Sequence, residues 1–509
     1  MSKSSNKTIA KNTLFLFFRT LLIMGISLYT TRVVLSVLGV DDFGIYNVVG
    51  GVVSMLAFLN SAMVQASQRY LSFAQGGNNI EEQKKVFSTS ILIHITIALI
   101  VVVLLESIGL WYVNHKLVLP PDRLKAANYV YQFSVLIFLC KILVVPYNAN
   151  VIAHEKMEVY AYISIADYVL QLIFVLLLRC VSCDKLIMYG GMMFLVSCCN
   201  FIFYYVYSKK KFLECTFEWN KDFSLYKEMF GFASWAFVGG AGYVARNQGV
   251  NLVINLFCGP MVNAARGVAY QVSSAVQTLI SSFQQAMNPQ ITKRYAVGEI
   301  DSMMTLVRIG SKYSFLLLCI CFAPILVRPY YILDIWLVNV PEYSAGFLIM
   351  AVIMALIASM GGPLNTAMQA TGNIKKFQIV VSIIMLCDIP LSYYLLSLYI
   401  EPYLVTSVSI FTSIICLFAK LIILKQQISF NLSRFLVSVV LRNIIVAVIV
   451  IAALYYIEKF IPDSFVGFVL LYALSVVLSG VVIYLIGLDK NERVLAITIA
   501  THYLCRIKK

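Results

Sequence analysis

Four arginines lie inside long apolar runs of this sequence: Arg19, Arg32, Arg246 and Arg266. The guanidinium group is a planar fork of donors that suits bidentate binding of phosphate. Tyr29-x-x-Arg32 recurs as Tyr243-x-x-Arg246, which indicates that two parts of the chain offer similar cationic faces. We therefore expect the four arginines to line an anion-binding cavity. The alternative is that they form structural ion pairs or extend their side chains to a polar surface.

Two acidic residues, Asp167 and Asp388, also lie in apolar runs and are candidate partners for these arginines. A carboxylate in such a place either carries a coupling proton or braces the structure by pairing with a cation. Arg19 and Arg32 are thirteen residues apart, so they do not share one face of a straight helix. One member of this pair is then expected to serve packing.

Polar side chains recur at steps of three, four or seven residues in two further runs, which places each set on one helix face. The two stripes comprise Asn47, Ser54, Ser61 and Gln65 in the first run and Gln271, Ser274, Ser281 and Gln285 in the second. Serine and glycine alone would be explained by close helix packing. Glutamine and asparagine need a partner or water, so we expect the stripes to face a water-filled cavity.

The sequence lacks motifs for metal, cofactor or nucleotide chemistry. Cys180-x-x-Cys183 has no second Cys or His pair to complete a metal site, although the two thiols could form a disulfide. No G-x-x-x-x-G-K-[ST] phosphate-binding loop occurs. We therefore expect no metal, no cofactor, no ATP hydrolysis of that type, and a protein that is not an enzyme.

The composition requires membrane helices to position these residues. Of 509 residues, 61% are hydrophobic and 12% are charged, and the mean hydropathy is +0.85. A soluble chain is roughly half apolar and a quarter charged. The apolar runs reach the roughly 20 residues that a membrane helix needs, and they lack the alternation of barrel strands. The predicted fold class is an all-α polytopic membrane protein with about 14 transmembrane helices.

The predicted spans are 13–38, 43–66, 88–112, 127–147, 160–179, 186–207, 229–257, 261–288, 311–333, 346–368, 377–399, 403–424, 435–456 and 465–487. These spans alternate in direction, and four residues near span ends are counted with the adjacent loops: Arg179, Lys312, Arg328 and Lys420. On this count 26 of the 39 Lys and Arg lie on one side, 7 lie on the other and 6 lie within spans. Cytosolic loops are enriched in Lys and Arg, so both termini are expected to be cytosolic. The net charge of +15 then reflects topology and not nucleic-acid binding.

Spans 1–6 and 7–12 form an internal repeat at a shift near 220 residues. Gly39 maps to Gly259, and Asp167 maps to Asp388. A period of six spans keeps both copies in the same orientation, as in transporters whose substrate site lies between two parallel lobes. The predicted domains are an N-lobe at 1–208, a cytosolic linker at 209–228, a C-lobe at 229–425, and two extra spans with a cytosolic tail at 426–509.

Four motifs give the chain a resemblance to a known family. They are the start from Lys7 to Arg19, "RVVLSVLGVDDFGIYNVV" from Arg32 to Val49, "NANVIAHEKM" from Asn148 to Met157 and "NTAMQATGNIKK" from Asn365 to Lys376. With these motifs and its two sets of six spans plus two, the chain resembles the polysaccharide transporters of the MOP superfamily. The resemblance is strongest to the Wzx-type flippases for O-antigen and capsule repeat units, in the PST family.

The resemblance implies pseudo-symmetric lobes that alternate access around a cationic cavity. The implied substrate is an undecaprenyl-pyrophosphate-linked oligosaccharide, moved from the cytosolic to the outer leaflet of a bacterial inner membrane. In relatives that flip the peptidoglycan precursor, arginines on the first and eighth spans contact the pyrophosphate, and Arg19, Arg32 and Arg266 lie on those spans here. The other expected partners are membrane lipids and the polysaccharide polymerase machinery, with no nucleic acid.

Two other functions fit parts of the sequence. A MATE-like cation or drug antiporter shares the lobes, but it would more naturally place acids in its cavity, whereas embedded Arg outnumber central Asp here. A membrane polysaccharide polymerase or ligase would carry a sizeable outer loop with catalytic groups. The largest predicted outer loop spans only about residues 113–126, so this function has less support.

Overall fold

The computed structural model of this chain describes residues 3–54, 57–77, 79–115, 117, 120–180, 182–219, 223–337, 340–489 and 492–493. Nearly all of these residues are helical, and none of them forms a β-strand. The all-α fold class predicted from composition and run length is confirmed.

Eight α-helices lie in the described residues before residue 212. They are α1 (Lys3–Ser54), α2 (Ala57–Gly76), α3 (Ile80–Leu104), α4 (Leu110–His115), α5 (Leu124–Leu143), α6 (Val145–Ala153), α7 (Met157–Leu177) and α8 (Lys185–Lys211). A π-helical segment at Leu105–Gly109 connects α3 to α4 without a break in the chain's helical path.

Ten helices follow in the described residues from 223 onward. They are α9 (Phe223–Ala296), α10 (Ile300–Val327), α11 (Pro329–Trp336), α12 (Ser344–Thr371), α13 (Lys375–Leu386), α14 (Asp388–Leu398), α15 (Tyr403–Gln427), α16 (Leu432–Phe435), α17 (Arg442–Glu458) and α18 (Phe465–Val482). π-Helical segments at Leu436–Leu441 and Ile483–Gly487 extend α16 and α18.

Two glycines interrupt the longest helices at equivalent places in the repeat. Gly39 within α1 has φ 80° and ψ 175°, and Gly259 within α9 has φ 80° and ψ 176°. Residues with a Cβ rarely adopt this conformation, which explains why glycine stands at both places. The kinks fall between predicted spans 1 and 2 and between spans 7 and 8. The matching backbone geometry supports the predicted internal repeat.

Eleven helices of the described residues are long and apolar enough to cross a membrane. They correspond to predicted spans 1, 3–6 and 9–14. Span 2 is represented in the described residues by the shorter apolar helix Asp42–Val53. Spans 7 and 8, which contain Asn, Gln, Gly and Arg residues, are not among the eleven. These three spans carry the two polar stripes and Arg246. Such helices can cross a bilayer only where their polar faces are shielded from lipid.

The chain divides into two compact units. The first comprises Met1–Val244, Gln285–Met303 and Met368–Ser382, and the second comprises Ala245–Gln284, Met304–Ala367 and Ile383–Lys509. Within the first unit, α5 packs against α8 and α1 packs against α7. One of its buried clusters includes Val49, Tyr131 and Leu186. Within the second unit, α14 packs against α15 and α17 packs against α18. The lobe boundaries inferred from the repeat stay a prediction.

Candidate functional site

Arg246 forms a buried ion pair with Asp388, the first residue of α14. The Nε of Arg246 donates to Asp388 Oδ2, and its Nη2 donates to the Ser409 carbonyl at 3.0 Å. Asp388 Oδ2 also accepts a hydrogen bond from Ser409 Oγ at 2.9 Å. Arg246 is 5% exposed and Asp388 is 0% exposed. The structure therefore places these two predicted site residues in a brace between helices of the second unit.

Arg266 is also buried, and its contacts join the two segments of α9 on either side of Gly259. Its Nη1 donates a hydrogen bond to Asn251 Oδ1, and its guanidinium lies 4.3 Å from the centroid of the Tyr270 ring. A straight helix would separate positions 251 and 266 by about 22 Å at 1.5 Å per residue. The contact therefore requires the chain to reverse at the Gly259 kink.

Arg19 lies between α1 and α7 within the first unit. Its guanidinium is 4.5 Å from the centroid of the Tyr160 ring, which is a cation–π geometry. Its Nε is buried and has no hydrogen-bond partner among the described residues. The expectation that one of the two arginines of the first span serves packing stays a prediction.

Arg32 differs from the other three arginines. Its side chain is exposed, and it forms no hydrogen bond or ion pair with any residue that the structure describes. The nearest described acid in the sequence, Asp42, is occupied by Arg123, whose Nε lies 2.9 Å from Asp42 Oδ1. Arg32 is therefore the most exposed of the four embedded arginines, and its donors are available to an anion.

The first polar stripe is only partly described. Asn47 is exposed and donates its side-chain amide to the Phe43 carbonyl at 2.8 Å. Gln65 is exposed, and its Oε1 accepts a hydrogen bond from Gln369 Nε2 at 2.7 Å. The side chains of Ser54 and Ser61 lie outside the described residues. The two described members retain exposed polar surface that can contact water or a solute.

The second stripe lies on α9 beyond the kink. Gln271, Ser274 and Ser281 are exposed, and Gln285 is partly exposed. Ser274 Oγ donates to the Gln271 carbonyl at 3.0 Å, and Ser281 Oγ donates to the Gln277 carbonyl at 3.0 Å. The hydroxyl groups are thus satisfied by their own helix, whereas the Gln271 amide is open to solvent. The predicted polar face is present on this helix.

Asp167 lies beside a polar cavity and not in a brace. Its Oδ2 accepts a hydrogen bond from Gln171 Nε2 at 3.0 Å, and it forms no ion pair with a described residue. It lines a cavity of about 340 Å³ together with Lys141. A second cavity of about 390 Å³, lined by Asn47, shares Lys141. Asp167 therefore differs from its repeat partner, which pairs with an arginine.

Two contacts at helix ends join distant parts of the sequence, and both lie within the first unit. Arg69 donates to the carbonyls of Gln369 at 3.0 Å and Ala370 at 3.2 Å, near the end of α12. Glu155 accepts a hydrogen bond from Lys293 at 2.9 Å, near the end of α9. Neither contact was predicted from the sequence.

A signal for these contacts was nonetheless present in the repeat. Glu155 has φ 59° and Gly372 has φ 80°, and the two residues are 217 positions apart, as are the motifs that contain them. Arg69-Tyr70 similarly corresponds to Arg294-Tyr295. The contacts follow this correspondence. The basic end of α2, at Arg69, lies at the turn that contains Gly372, and the basic end of α9, at Lys293, lies at the turn that contains Glu155.

The thiols that could form a disulfide are not bonded. Cys180 and Cys183 are both free and exposed. Among the described residues, no group of three or more His, Cys, Asp and Glu side chains is placed to hold a metal ion.

More than half of the chain matches a known family. The family model described as "Polysaccharide biosynthesis protein" matches residues 9–295. The chain belongs to this family. A second family model, described as MatE, matches residues 241–394. A search of curated proteins found no match.

Solved structures of membrane transporters share the fold. An outward-facing multidrug resistance MATE family transporter of the MOP superfamily has 11% identity and a TM-score of 0.71, over 86% of this chain and 99% of that chain. A MOP superfamily transporter from Pyrococcus furiosus, whose binding pocket is described as having reverse polarity, has 10% identity and a TM-score of 0.69 over the same shares. The chain thus belongs to the polysaccharide biosynthesis family and shares the multi-pass membrane fold of these transporters.

Proposed function

We propose that this protein is a flippase for lipid-linked oligosaccharides. It translocates undecaprenyl-pyrophosphate-linked glycan repeat units from the cytosolic to the outer leaflet of a bacterial inner membrane, for O-antigen, capsule or exopolysaccharide synthesis. Membership of the polysaccharide biosynthesis family supports this class of substrate. The observation that carries the proposal is the exposed, unpaired Arg32 within the first apolar helix.

The pyrophosphate is the part of this substrate that crosses lipid least readily, because its charge must leave water. A guanidinium replaces part of its hydration with bidentate hydrogen bonds. An arginine exposed to lipid at the bilayer centre costs about 2.5 kcal/mol or more, so an exposed Arg32 belongs in a water-filled space. Arg32 is thus the residue that we assign to the pyrophosphate. Arg246 and Arg266 are hydrogen-bonded within the protein, and Arg19 packs on the Tyr160 ring.

The membrane potential assists transport in this direction. Moving about two negative charges outward across an inside-negative membrane releases about 4–5 kcal/mol per 100 mV if the protein's own charges stay in place. The glycan itself needs a hydrated path, and the exposed amides of Asn47 and Gln271 supply polar surface for one. The protein performs no covalent chemistry in this scheme, and alternating access exposes the substrate to each leaflet in turn.

Cells that lack this protein test the proposal. We expect undecaprenyl-linked oligosaccharide to accumulate on the cytosolic side, and expression of the wild-type chain to restore export. Arg32→Ala should not restore export although the protein inserts at the normal level. Arg434→Ala, which removes an exposed charge outside the predicted spans, is the matched control and should restore it. If the deletion causes no accumulation of lipid-linked precursor, the flippase proposal is wrong.

A second function, MATE-like cation antiport, is favoured by one observation. Asp167 has no cationic partner within ion-pair distance and lines a cavity, as an acid that binds a transported cation would. Uptake of a fluorescent organic cation into inverted vesicles distinguishes the two functions. Uptake that is abolished by Asp167→Asn and unchanged by Arg32→Ala would support the antiporter and count against the flippase.

A further inference from the structure

A cavity of about 800 Å³ opens among five chain segments of the first unit. It is lined by Gln75, Gly76, Ile80, Gln83, His154, Lys211, Phe212, Leu213, Glu214, Lys293, Arg294 and Val297. These segments lie between predicted spans, in loops that the Lys and Arg distribution assigns to the cytosol. The volume falls in the range of roughly 300–1,000 Å³ that is typical of small-molecule sites. The cavity is remote in sequence from Arg32, and its lining on α2 and α9 begins beyond the last residues of the polar stripes.

The lining carries three cations and one carboxylate. The cations are Lys211, Lys293 and Arg294, and the carboxylate is Glu214. Glu214 is committed to the protein, because its Oε1 accepts hydrogen bonds from the His154 ring and from Asn150 at 3.1 Å. Burial acts to raise the pKa of Glu214, but these hydrogen bonds outweigh it and hold the pKa below its usual range. Glu214 therefore stays ionised without forming an ion pair with Lys211.

Two donors at this cavity lack acceptors. The Lys211 ammonium is exposed and forms no hydrogen bond or ion pair with a described residue. The Nε2 of Gln75 is buried and has no hydrogen-bond partner among the described residues. A buried donor without an acceptor is unfavourable, so a ligand that supplies oxygen atoms would satisfy it. The other two cations have protein partners. Lys293 forms an ion pair with Glu155 at 2.9 Å, and Arg294 donates a hydrogen bond to Ser302 Oγ.

The excess of donors and positive charge selects an anion with several oxygen acceptors. A phosphate group has this chemistry, and amide, ammonium and guanidinium donors are the groups that bind it in proteins. The cavity is too large for a single phosphate, so it suits a phosphate that is part of a larger molecule. Phosphate-bearing headgroups are abundant at the cytosolic surface of membranes, where basic residues attract them.

We propose that this cavity binds a phosphate-bearing ligand through Lys211 and Gln75, with Arg294 and Lys293 supplying further positive charge. The site is separate from the assigned pyrophosphate residue Arg32. The proposal holds whether or not the transported substrate is a lipid-linked glycan. The competing explanation is that the cations only compensate the negative ends of helices α2, α8 and α9, which terminate nearby.

Binding of inorganic pyrophosphate to the purified full-length protein in neutral detergent tests this site by titration calorimetry. We expect Lys211→Gln to weaken binding by about tenfold or more, because a charged hydrogen bond is lost. Lys210→Gln removes the same charge from the adjacent residue, which does not line the cavity, and should leave the affinity within about twofold. Lys211→Arg should retain binding, which excludes a folding defect at this position.

A second arm identifies the source of the phosphate. The protein is placed in nanodiscs of phosphatidylglycerol and phosphatidylcholine, and bound lipid is counted by native mass spectrometry. If phosphatidylglycerol is retained in the wild type and Lys210→Gln but not in Lys211→Gln or Gln75→Leu, the ligand is a lipid headgroup. If only pyrophosphate shows this pattern, the ligand is a soluble phosphate compound. If Lys210→Gln and Lys211→Gln behave alike with both probes, the proposal is overturned.

Discussion

At the scale of single residues, burial decides what each embedded arginine can do. Arg246 and Asp388 are 5% and 0% exposed, and they are bonded to each other. Removing one partner of such a pair leaves an unpaired buried charge, which typically costs about 3–5 kcal/mol. Arg32 is exposed and unpaired, so its removal leaves no charge stranded inside the protein. The same residue type therefore has a structural role at one position and an available guanidinium at the other.

Arg246→Met is expected to lower the free energy of unfolding by about 3–5 kcal/mol, whereas Arg32→Met should change it by no more than about 0.5 kcal/mol. Thermal unfolding of the detergent-solubilised variants measures both. Adding Asp388→Leu to Arg246→Met should recover much of the loss, because both charges are then absent. Equal destabilisation by the two single variants would show that Arg32 has a structural partner after all.

At the scale of helices, the two kinks divide long helices into pairs of spans. Gly259 lies between Asn251 and Arg266, whose side chains are in contact although they are fifteen residues apart. Gly39 has the same backbone conformation in the first copy of the repeat. The positive φ of this glycine therefore marks the junction between the first two spans of each repeat. Glycine is the residue that adopts this conformation without strain.

Gly259→Ala is expected to lower the free energy of unfolding by roughly 1–3 kcal/mol, the cost of a strained backbone conformation. No atom lies within 4 Å of a Cβ built at this position, so the effect comes from the backbone and not from a clash. Gly267→Ala is the matched control, since Gly267 lies in the regular part of α9 and also has open space. Thermal unfolding of both variants in detergent measures the effect. A similar response at the two positions would contradict the role of the kink.

The contact between Glu155 and Lys293 joins segments from the two halves of the repeat on the predicted cytosolic side. Glu155 also accepts a hydrogen bond from Gln290 at 2.6 Å, so one carboxylate is bound twice to the end of α9. In an alternating-access transporter, such a contact must break whenever the protein opens on that side. Its strength then sets the balance between the two states.

Glu155→Ala is expected to raise the population that is open on the cytosolic side by roughly fivefold, because loss of the contact changes the free-energy difference between the two states by about 1 kcal/mol. The measurement is maleimide labelling, from the cytosolic side, of a cysteine placed by Ala286→Cys, since Ala286 is buried beside Leu16 and Ile152. Glu158→Ala, which removes an exposed ion pair with Lys11, is the control and should leave labelling unchanged. Equal labelling in both variants would show that the Glu155 contact does not hold this side closed.

At the scale of the whole molecule, hydropathy and charge predicted most of the fold because both are local properties of the sequence. The eleven apolar spans and both glycine kinks follow from residue type and spacing. The partners of the polar residues cannot be predicted in this way, because the partners lie on helices that are distant in sequence. Arg246 meets an acid 142 positions away, and Arg69 caps a helix 300 positions away. The four arginines therefore looked equivalent until their surroundings were known.

The central claim is that this protein moves lipid-linked glycans by holding their pyrophosphate at Arg32. Reconstitution of the purified protein in liposomes with a fluorescent undecaprenyl-pyrophosphate-linked oligosaccharide tests it most directly, with transfer between leaflets followed by quenching from outside. We expect the wild type and Arg434→Ala to transfer the lipid at equal rates, and Arg32→Ala to be slower by about tenfold or more. Transfer by Arg32→Ala at the wild-type rate, or no transfer by the wild type, would contradict the claim.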